Sequence, residues 1–124
     1  MSIHMPYEVI WHPDAAVERA AVPDLSERVA IQHAREKLEV LGPKLAAPHC
    51  SAIKGEEGAG RRELRPRAGR SRWRPIYRRV GARIFVILAI APEAQIDRRG
   101  FEGAIRDAKQ RLEDLHASRD TRKR

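Results

Sequence analysis

The spacing of apolar residues predicts short strands and helices that follow one another along the chain. Residues 7–11 alternate between apolar and polar side chains and are rich in β-formers, so we expect a first strand there. His12 and Pro13 end this strand, and proline suits the first turn of a helix. Alanines and a valine then recur, which predicts a helix over residues 13–21.

A second helix is predicted over residues 25–41. Pro23 and Asp24 break the first helix, and Asp24 or Ser26 is available as the next N-cap. Gly42 is expected to end the second helix, which would form an antiparallel pair with the first. Its buried stripe is expected to hold the apolar positions at helical spacing, Val29, Ile31, Ala34, Leu38 and Leu41.

Three further strands are predicted in the second half of the chain. Glycines and prolines predict a loop over residues 42–60, and alternation predicts strands over 62–67 and 73–80 with a turn at 68–71. A further strand is predicted over residues 83–90, and its positions from 84 to 90 are all apolar, so it is expected to lie inside the sheet with both sides covered.

The last predicted element is a helix over residues 99–117, followed by a polar tail at 118–124 that we expect to fray. Pro75 cannot donate to a strand ladder, so the strand that contains it is expected at a sheet edge or at a bulge. The stripe that the last helix buries is expected to hold Phe101, Ala104 or Ile105, Ala108, Leu112 and Leu115.

These elements predict an α+β fold in the order β-α-α-β-β-β-α. We expect one domain over residues 1–124 with its ordered core at 7–117, because a chain of 124 residues is long enough for one core. The sheet is expected to be small, twisted and mostly antiparallel. A helix pair should cover one face and leave the other face open.

Composition indicates a cytoplasmic protein. The chain is 42% hydrophobic, no apolar run reaches the length of a membrane span, and the N-terminus lacks the pattern of a secretory signal. Cys50 is the single cysteine, which excludes an internal disulfide and fits a reducing compartment.

Positive charge is concentrated in residues 61–83, which we call the basic segment. The net charge is +8, and the basic segment holds ten arginines, one acid and no lysine. Arginine can grip a phosphate with two parallel hydrogen bonds and can stack on nucleobases. A high genomic G and C content would explain the preference for arginine but not the clustering, so we interpret the segment as a surface for a polyanion.

Four stretches of the chain resemble the RelE/HigB/ParE family of toxins from type II toxin–antitoxin modules. They are "YEVIWHPDAAVE", "AREKLEVLGPKL", "RRELRPR" and "SRWRPIYRRVGARIFVILAI", and in order they cover residues 7–117. The similarity is closest to the HigB-like, phage-associated branch, in which a Leu-x-Glu-Leu-Arg strand precedes a Tyr-Arg-x-x-Tyr strand. The corresponding residues here are 62–65 and 73–77.

This resemblance implies a RelE-like fold and a ribosome-dependent mRNA interferase. Such an enzyme uses no metal or other cofactor, and the 2′-OH of the RNA attacks the adjacent phosphodiester. The resemblance also implies a cognate antitoxin, for which we expect a small helix-turn-helix or acidic protein. No membrane partner is expected.

Catalysis of this kind needs charge stabilisation at phosphorus, a base for the 2′-OH and an acid for the leaving oxygen. Arg65 and Arg74 match the strand arginines of the family, and we assign both to the scissile phosphate. His49 and Lys54 lie where HigB-like enzymes can place catalytic groups, and a histidine can act as a base near neutral pH. Tyr77 is a candidate acid only if a bulge at Pro75 reorients it; strict alternation makes it a core residue instead.

Other residues of the basic segment are predicted to contact RNA. Trp73 is a candidate for stacking on a base, although packing at a strand end would equally explain it. The predicted RNA-binding residues are Arg62, Arg67, Arg70, Arg72, Trp73 and Arg78.

One departure from the family pattern keeps two alternatives open. Many relatives carry a histidine or tyrosine and a lysine pair after the central strand, whereas residues 89–95 here offer only Glu93 for proton transfer. The first alternative is a ParE-like toxin that inhibits DNA gyrase without nuclease activity. The second is a phage-derived module that binds nucleic acid without catalysis or toxicity.

Overall fold

The computed structural model describes residues 5–122. Residues 1–4 belong to the stretch in which no secretory signal is predicted, and residues 123–124 end the predicted polar tail; both lie outside the described part. The strands and helices occur in the order β1 Glu8–Trp11, α1 Pro13–Ala21, α2 Leu25–Leu41, β2 Cys50–Ala52, β3 Arg62–Leu64, β4 Trp73–Gly81, β5 Ile84–Pro92 and α3 Arg98–Arg122.

Five strands form one sheet in the order β1-β5-β4-β3-β2. β1 runs parallel to β5, with Val9 beside Phe85, and all other neighbouring strands are antiparallel. β5 lies inside the sheet and is buried continuously from Phe85 to Ala91. The α+β class and the interior position predicted for this strand are therefore confirmed.

Helices cover both faces of the sheet, and the prediction of one open face is wrong. Phe85 and Ile87 of β5 pack into a core with residues of α1 and α2, including Ala15 and Ile31. Val86 and Leu88 point the other way and pack against the Ala104, Ile105, Ala108 and Leu112 stripe of α3. Since β5 is apolar on both sides, each side requires a covering helix.

The strand β4 lies between β5 and β3, so the edge position considered for Pro75 is wrong for the strand as a whole, and a bulge lies between the next two residues rather than at Pro75. The register shifts between Ile76 and Tyr77, where Leu88 is the extra residue on β5. β3 pairs with β4 only at Ile76 and Tyr77, so no β3 ladder reaches Pro75. A proline is tolerated where the ladder has already ended.

Several element boundaries differ from the predicted ones. The loop predicted over residues 42–60 from its glycines and prolines contains the strand β2, which forms by pairing Cys50 with Leu64 of β3. The predicted strand at 62–67 ends at Leu64, because Pro66–Gly69 forms a short helical turn. α3 continues to Arg122, beyond the predicted end at residue 117.

Helix α2 has the predicted ends but a different buried stripe. The Asp24 carboxylate accepts a hydrogen bond from the Ser26 amide at 2.8 Å, and Gly42 ends the helix with a φ of +52°. Ala30, Ile31, Ala34 and Leu38 are buried, as expected from a period of 3.6 residues. Val29 and Leu41, which were expected in the core, are 44% and 41% exposed.

Candidate nucleic-acid interface

The arginines of the basic segment do not form one exposed surface, contrary to the single polyanion surface that the sequence indicated. Arg61 is buried against the carboxylate of Glu56. Arg78 donates to the Ala59 carbonyl at 2.7 Å, and Arg79 donates to backbone carbonyls of its own hairpin. Several guanidinium groups of the basic segment are therefore engaged within the molecule.

Arg74 is an interior residue rather than a surface residue, with 1% of its area exposed. Its guanidinium donates to the carbonyls of Trp73 and Gly69 at 3.0 and 3.1 Å, and lies 3.8 and 3.6 Å from the carboxylates of Glu63 and Glu93. Burial, followed by repulsion from a neighbouring arginine, lowers the pKa of Arg74, while the two carboxylates oppose this effect. The structure therefore gives Arg74 no surface on which to hold a phosphate.

Arg74 supports an unusual turn between β3 and β4. Arg67 and Ala68 have φ values of +57° and +55°, a left-handed backbone that costs about 1–2 kcal/mol per residue outside glycine. Arg74 donates to the carbonyls of Gly69 and Ser71, on the far side of this turn. We infer that Arg74 stabilises the turn that carries the surface arginines.

Arg65 lies beside Arg74 but is accessible. One third of its side chain is exposed, and its guanidinium lies 3.6 Å from the Glu63 carboxylate. The Arg65 amide donates to the His49 carbonyl at 2.9 Å, so the chain after β3 is tied to the chain before β2. This backbone contact brings two of the predicted catalytic residues together.

A groove of about 690 Å³ lies between α2 and the chain that follows β3. We call it the α2 groove. Leu25, Val29, Ala30, Ala34 and Pro66 supply its apolar lining. Leu25 and Val29 are 65% and 44% exposed, so the apolar side of the groove is open to solvent.

Five basic or titratable side chains line the same groove: His33, Lys37, His49, Arg65 and Arg67. The sequence predicted His49, Arg65 and Arg67, but it missed His33 and Lys37. The available signal was the i, i+4 row of Leu25, Val29, His33 and Lys37, which places all four side chains along one side of a helix. The sequence analysis assigned only Val29 of this row, and it placed Val29 in the apolar stripe of α2.

Lys37 contacts His49 across the α2 groove. The Lys37 Nζ lies 3.4 Å from the His49 Nδ1. The contact joins a residue of α2 to the segment that leads into β2, so a lysine and a histidine side chain lie together in the groove.

Tyr77 lies on the other face of β4 from Arg74, as strict alternation predicts. It is 3% exposed, its ring is 6.0 Å from that of Phe85, and Arg62 and Cys50 are its polar neighbours. Burial raises the pKa of Tyr77 far above its ordinary value, which makes it a weaker proton donor. The bulge does not turn this side chain towards Arg65, because the extra residue is on β5.

Lys54 is separated from the α2 groove. It lines a second groove of about 600 Å³, between the β2–β3 edge and α3, together with Glu63, Phe101, Arg98 and Arg106. The structure thus divides the predicted catalytic residues into three places. His49 and Arg65 share the α2 groove, Lys54 lies in the second groove beside α3, and Arg74 and Tyr77 are buried.

The predicted RNA-binding residues are also dispersed. Arg62 contacts the Cys50 thiol at 3.5 Å, and this hydrogen bond raises its pKa. Arg72 is exposed and lies over the half-buried Trp73 ring, 5.4 Å from its centroid. Arg70 is exposed at the turn, and Arg67, which pairs with Glu27 at 3.2 Å, lines the α2 groove.

The described residues were also compared with the requirements of a metal site and of a membrane-spanning helix. Within residues 5–122, no group of three or more histidine, cysteine, aspartate or glutamate side chains is placed to hold a metal ion. None of the helices in the same range combines the length and the apolar character needed to cross a bilayer.

The sheet with a helix pair on one face and a C-terminal helix on the other is the RelE-like toxin fold. A solved structure that matches is a double arginine-to-alanine mutant of the E. coli toxin RelE in the free state. The TM-score is 0.58 at 14% sequence identity, and the match covers 82% of this chain and 97% of that one. No family model and no curated protein sequence matches the chain.

Proposed function

We propose that this protein is the toxin of a type II toxin–antitoxin module and that it cleaves mRNA on the ribosome. In this proposal the 2′-OH of the RNA attacks the neighbouring phosphodiester, and Arg65 stabilises the charge on the phosphate. His49 supplies a proton-transfer group beside it. The RelE-like fold supports the class of protein, and the α2 groove supports the chemistry.

The observation that carries the proposal is the combination of groups in the α2 groove. An accessible arginine, a lysine and two histidines surround an apolar lining that can accept a nucleobase. Arginine and lysine stabilise a phosphorane, and histidine transfers protons near neutral pH. Arg74 is not assigned to the phosphate in this proposal, because it is buried against Glu63 and Glu93.

Induced expression is expected to stop growth and to produce new transcript ends within coding regions. Arg65→Ala is expected to slow cleavage by about 10²-fold, as expected when one charge-stabilising donor is removed. The matched control is Arg83→Ala, because Arg83 is an exposed arginine of the basic segment that lies outside the α2 groove. Equal cleavage by the two variants would contradict the assignment of Arg65.

A ParE-like activity is the second candidate, and one observation favours it. After the central strand, Glu93 is the residue that the sequence offers for proton transfer. Its carboxylate lies 3.6 Å from the Arg74 guanidinium, and this ion pair favours the ionised carboxylate, which has no proton to donate. Growth arrest with DNA damage and intact transcripts would identify this activity. Salt-dependent RNA binding without growth arrest would instead identify a non-catalytic module of phage origin.

We further propose a cytoplasmic location, membership of the HigB-like branch and a cognate antitoxin. The antitoxin should present carboxylates to the exposed cations that remain around the α2 groove, because complementary charge speeds association and excludes wrong partners. The neighbouring gene supplies the test: it should encode a small acidic or helix-turn-helix protein whose co-expression restores growth.

A further inference from the structure

A further cavity, on the face of the sheet that the helix pair covers, contains two arginines of the basic segment. It has a volume of about 290 Å³ and lies where α2 ends, between the turn Gly42–Lys44 and the strands β3, β4 and β5. We call it the arginine pocket. Both charged side chains in its lining are arginines, and no carboxylate of the described residues lines it. The lining consists of Gly42, Pro43, Leu45, Gly60, Arg62, Tyr77, Arg79 and Phe85.

The pairing of β3 with β4 places both guanidinium groups over the same part of the sheet. Arg62 lies directly opposite Tyr77, and Arg79 follows Tyr77 by two residues, so it projects from the same face. Arg62 and Arg79 are therefore diagonal neighbours on adjacent strands. Such positions have Cβ atoms about 7–8 Å apart, which is close enough for long side chains to meet. Both guanidinium groups line the same cavity and can contact one bound group.

Arg62 lacks the carboxylate partner that other arginines of the basic segment have. It is half-buried, and its polar neighbours among the described residues are the Cys50 thiol at 3.5 Å and the Tyr77 hydroxyl, which are both neutral groups. Burial without a counter-ion disfavours a charged group, so an anion beside Arg62 would stabilise it. A carboxylate lies within 3.8 Å of three other arginines of the segment, Arg61, Arg65 and Arg74.

Arg79 is held in position but retains donors for a ligand. Its Nε donates to the Gly81 carbonyl at 3.2 Å, its Nη2 donates to the Ala82 carbonyl, and its Cζ lies 5.8 Å from the centre of the Phe85 ring. These contacts leave Nη1 without a hydrogen-bond partner among the described residues. Since the hairpin already fixes this guanidinium, little conformational entropy is lost when it binds an anion.

We propose that Arg62 and Arg79 together bind one phosphate group in the arginine pocket. Guanidinium groups match phosphate oxygens in both charge and hydrogen-bond geometry. A volume of about 290 Å³ requires a compact occupant. Tyr77 and Phe85 are only 3% and 4% exposed, so neither ring offers a face on which a nucleobase could stack. The pocket therefore recognises the phosphate and not the base.

The phosphate can belong to an RNA backbone or to a small free phosphate, and the same two guanidinium groups would bind either. Arg62 and Arg65, which lines the α2 groove, are three residues apart, or about 10 Å along an extended chain. Nearby phosphates of one RNA strand can therefore occupy both places, and a contact of this kind fixes the register of the strand without reading its sequence. The RNA version rests on the proposed function, whereas binding of free phosphate does not.

The first arm of the test measures how the purified full chain binds a single-stranded 2′-O-methyl oligonucleotide, which has no 2′-OH for self-cleavage. Arg62→Met and Arg79→Met are each expected to weaken binding about tenfold, as expected for a lost hydrogen bond to a charged group. In the double variant the slope of log K against log salt should fall by about 0.7, which is the contribution of one phosphate on a single strand. Arg83→Met is the matched control, because Arg83 is exposed on the same hairpin but does not line the pocket. Arg79 is exposed, so Arg79→Met carries the test if Arg62→Met does not fold.

The second arm adds inorganic phosphate at constant ionic strength and follows the Nε–H nuclear magnetic resonance signals of Arg62 and Arg79. Both signals should shift at phosphate concentrations at which chloride shifts neither. Shifts together with wild-type oligonucleotide binding in the double variant would assign the pocket to a free phosphate. Weaker oligonucleotide binding with the expected change of slope would assign it to nucleic acid, whether or not free phosphate binds.

Two results would overturn the arginine pocket as a site for one phosphate. The first is wild-type oligonucleotide binding in the double variant combined with unshifted arginine signals. The second is weaker oligonucleotide binding with any other change of slope, since an unchanged slope excludes a phosphate contact and a doubled change means that the two arginines bind separate phosphates. Neither arm involves cleavage, so the mapping of transcript ends decides the proposed function separately.

Discussion

Arg74→Met is expected to lower the free energy of unfolding by about 3–5 kcal/mol, the usual cost of removing one partner from a buried ion pair. The substitution leaves Glu93 without its cation and leaves the carbonyls of Gly69 and Trp73 without their donor. The left-handed turn at Arg67 and Ala68 also loses its support. Urea unfolding followed by circular dichroism measures the change.

Arg72→Met provides the control for that measurement, because Arg72 is exposed two residues away and lies over the Trp73 ring. Its loss should cost about 1 kcal/mol or less, the range of exposed cation–π contacts. An Arg74→Met protein as stable as the Arg72→Met protein would contradict the structural role of Arg74. Lost cleavage in an Arg74 variant therefore needs a stability measurement before it is assigned to catalysis.

Glu18→Ala is expected to lower the free energy of unfolding by about 2–3 kcal/mol, because it removes hydrogen bonds that involve a charged group. The Glu18 carboxylate accepts from the Ile90 amide at 2.9 Å and from the Arg111 guanidinium at 2.6 Å. Arg111 also donates to the Leu88 carbonyl at 2.8 Å. Beyond Trp11, where β1 ends, Glu18 and Arg111 therefore form hydrogen bonds with backbone groups of β5.

A double-mutant cycle tests this arrangement directly. The pKa of Arg111 is raised mainly by its hydrogen bond to Glu18, so the two residues should be energetically coupled. We expect Glu18→Ala and Arg111→Ala together to cost about 1–3 kcal/mol less than the sum of the single changes. The control is Glu113→Ala, an exposed acid on α3. Additive effects would show that the pair does not act as one unit.

Both predictions concern the free energy of unfolding. They help to distinguish variants that lose cleavage because they are unstable from variants that lose it because a catalytic group is missing. Ten arginines in one segment suggested a single cationic face, yet Arg61 and Arg74 are buried ion-pair partners. Cleavage defects are informative at Arg65, His33 and His49, which line an accessible groove. At Arg74 the same defect would report a disrupted core.

Much of the fold could be predicted from local pattern. Asp24 and Gly42 mark the ends of α2, and Pro13 marks the start of α1, because caps and proline act within one helical turn. The apolar run of β5 predicted an interior strand. β2 could not be predicted, because Cys50–Ala52 is extended only through its pairing with β3.

The candidate site was less accessible to sequence reasoning. His49 and Arg65 could be proposed from a resemblance, but nothing local connects either residue to His33 or Lys37. The distance between Lys37 and His49 depends on how α2 packs beside the chain leading into β2, since the two residues are twelve positions apart and belong to different elements. Which arginines are exposed depends on the tertiary fold, which places the carboxylates of Glu63 and Glu93 beside Arg74.

By itself the amino-acid sequence determined all the main elements except β2, their order and the amount of positive charge, because periodicity, capping and composition are properties of neighbouring residues. Only the tertiary structure decided which of those charges are paired, buried or free. A guanidinium has the same charge in either place, but its surroundings are set by long-range packing. Because of that packing, Arg74 is buried in the interior, whereas Arg65 lines a groove together with His33 and His49.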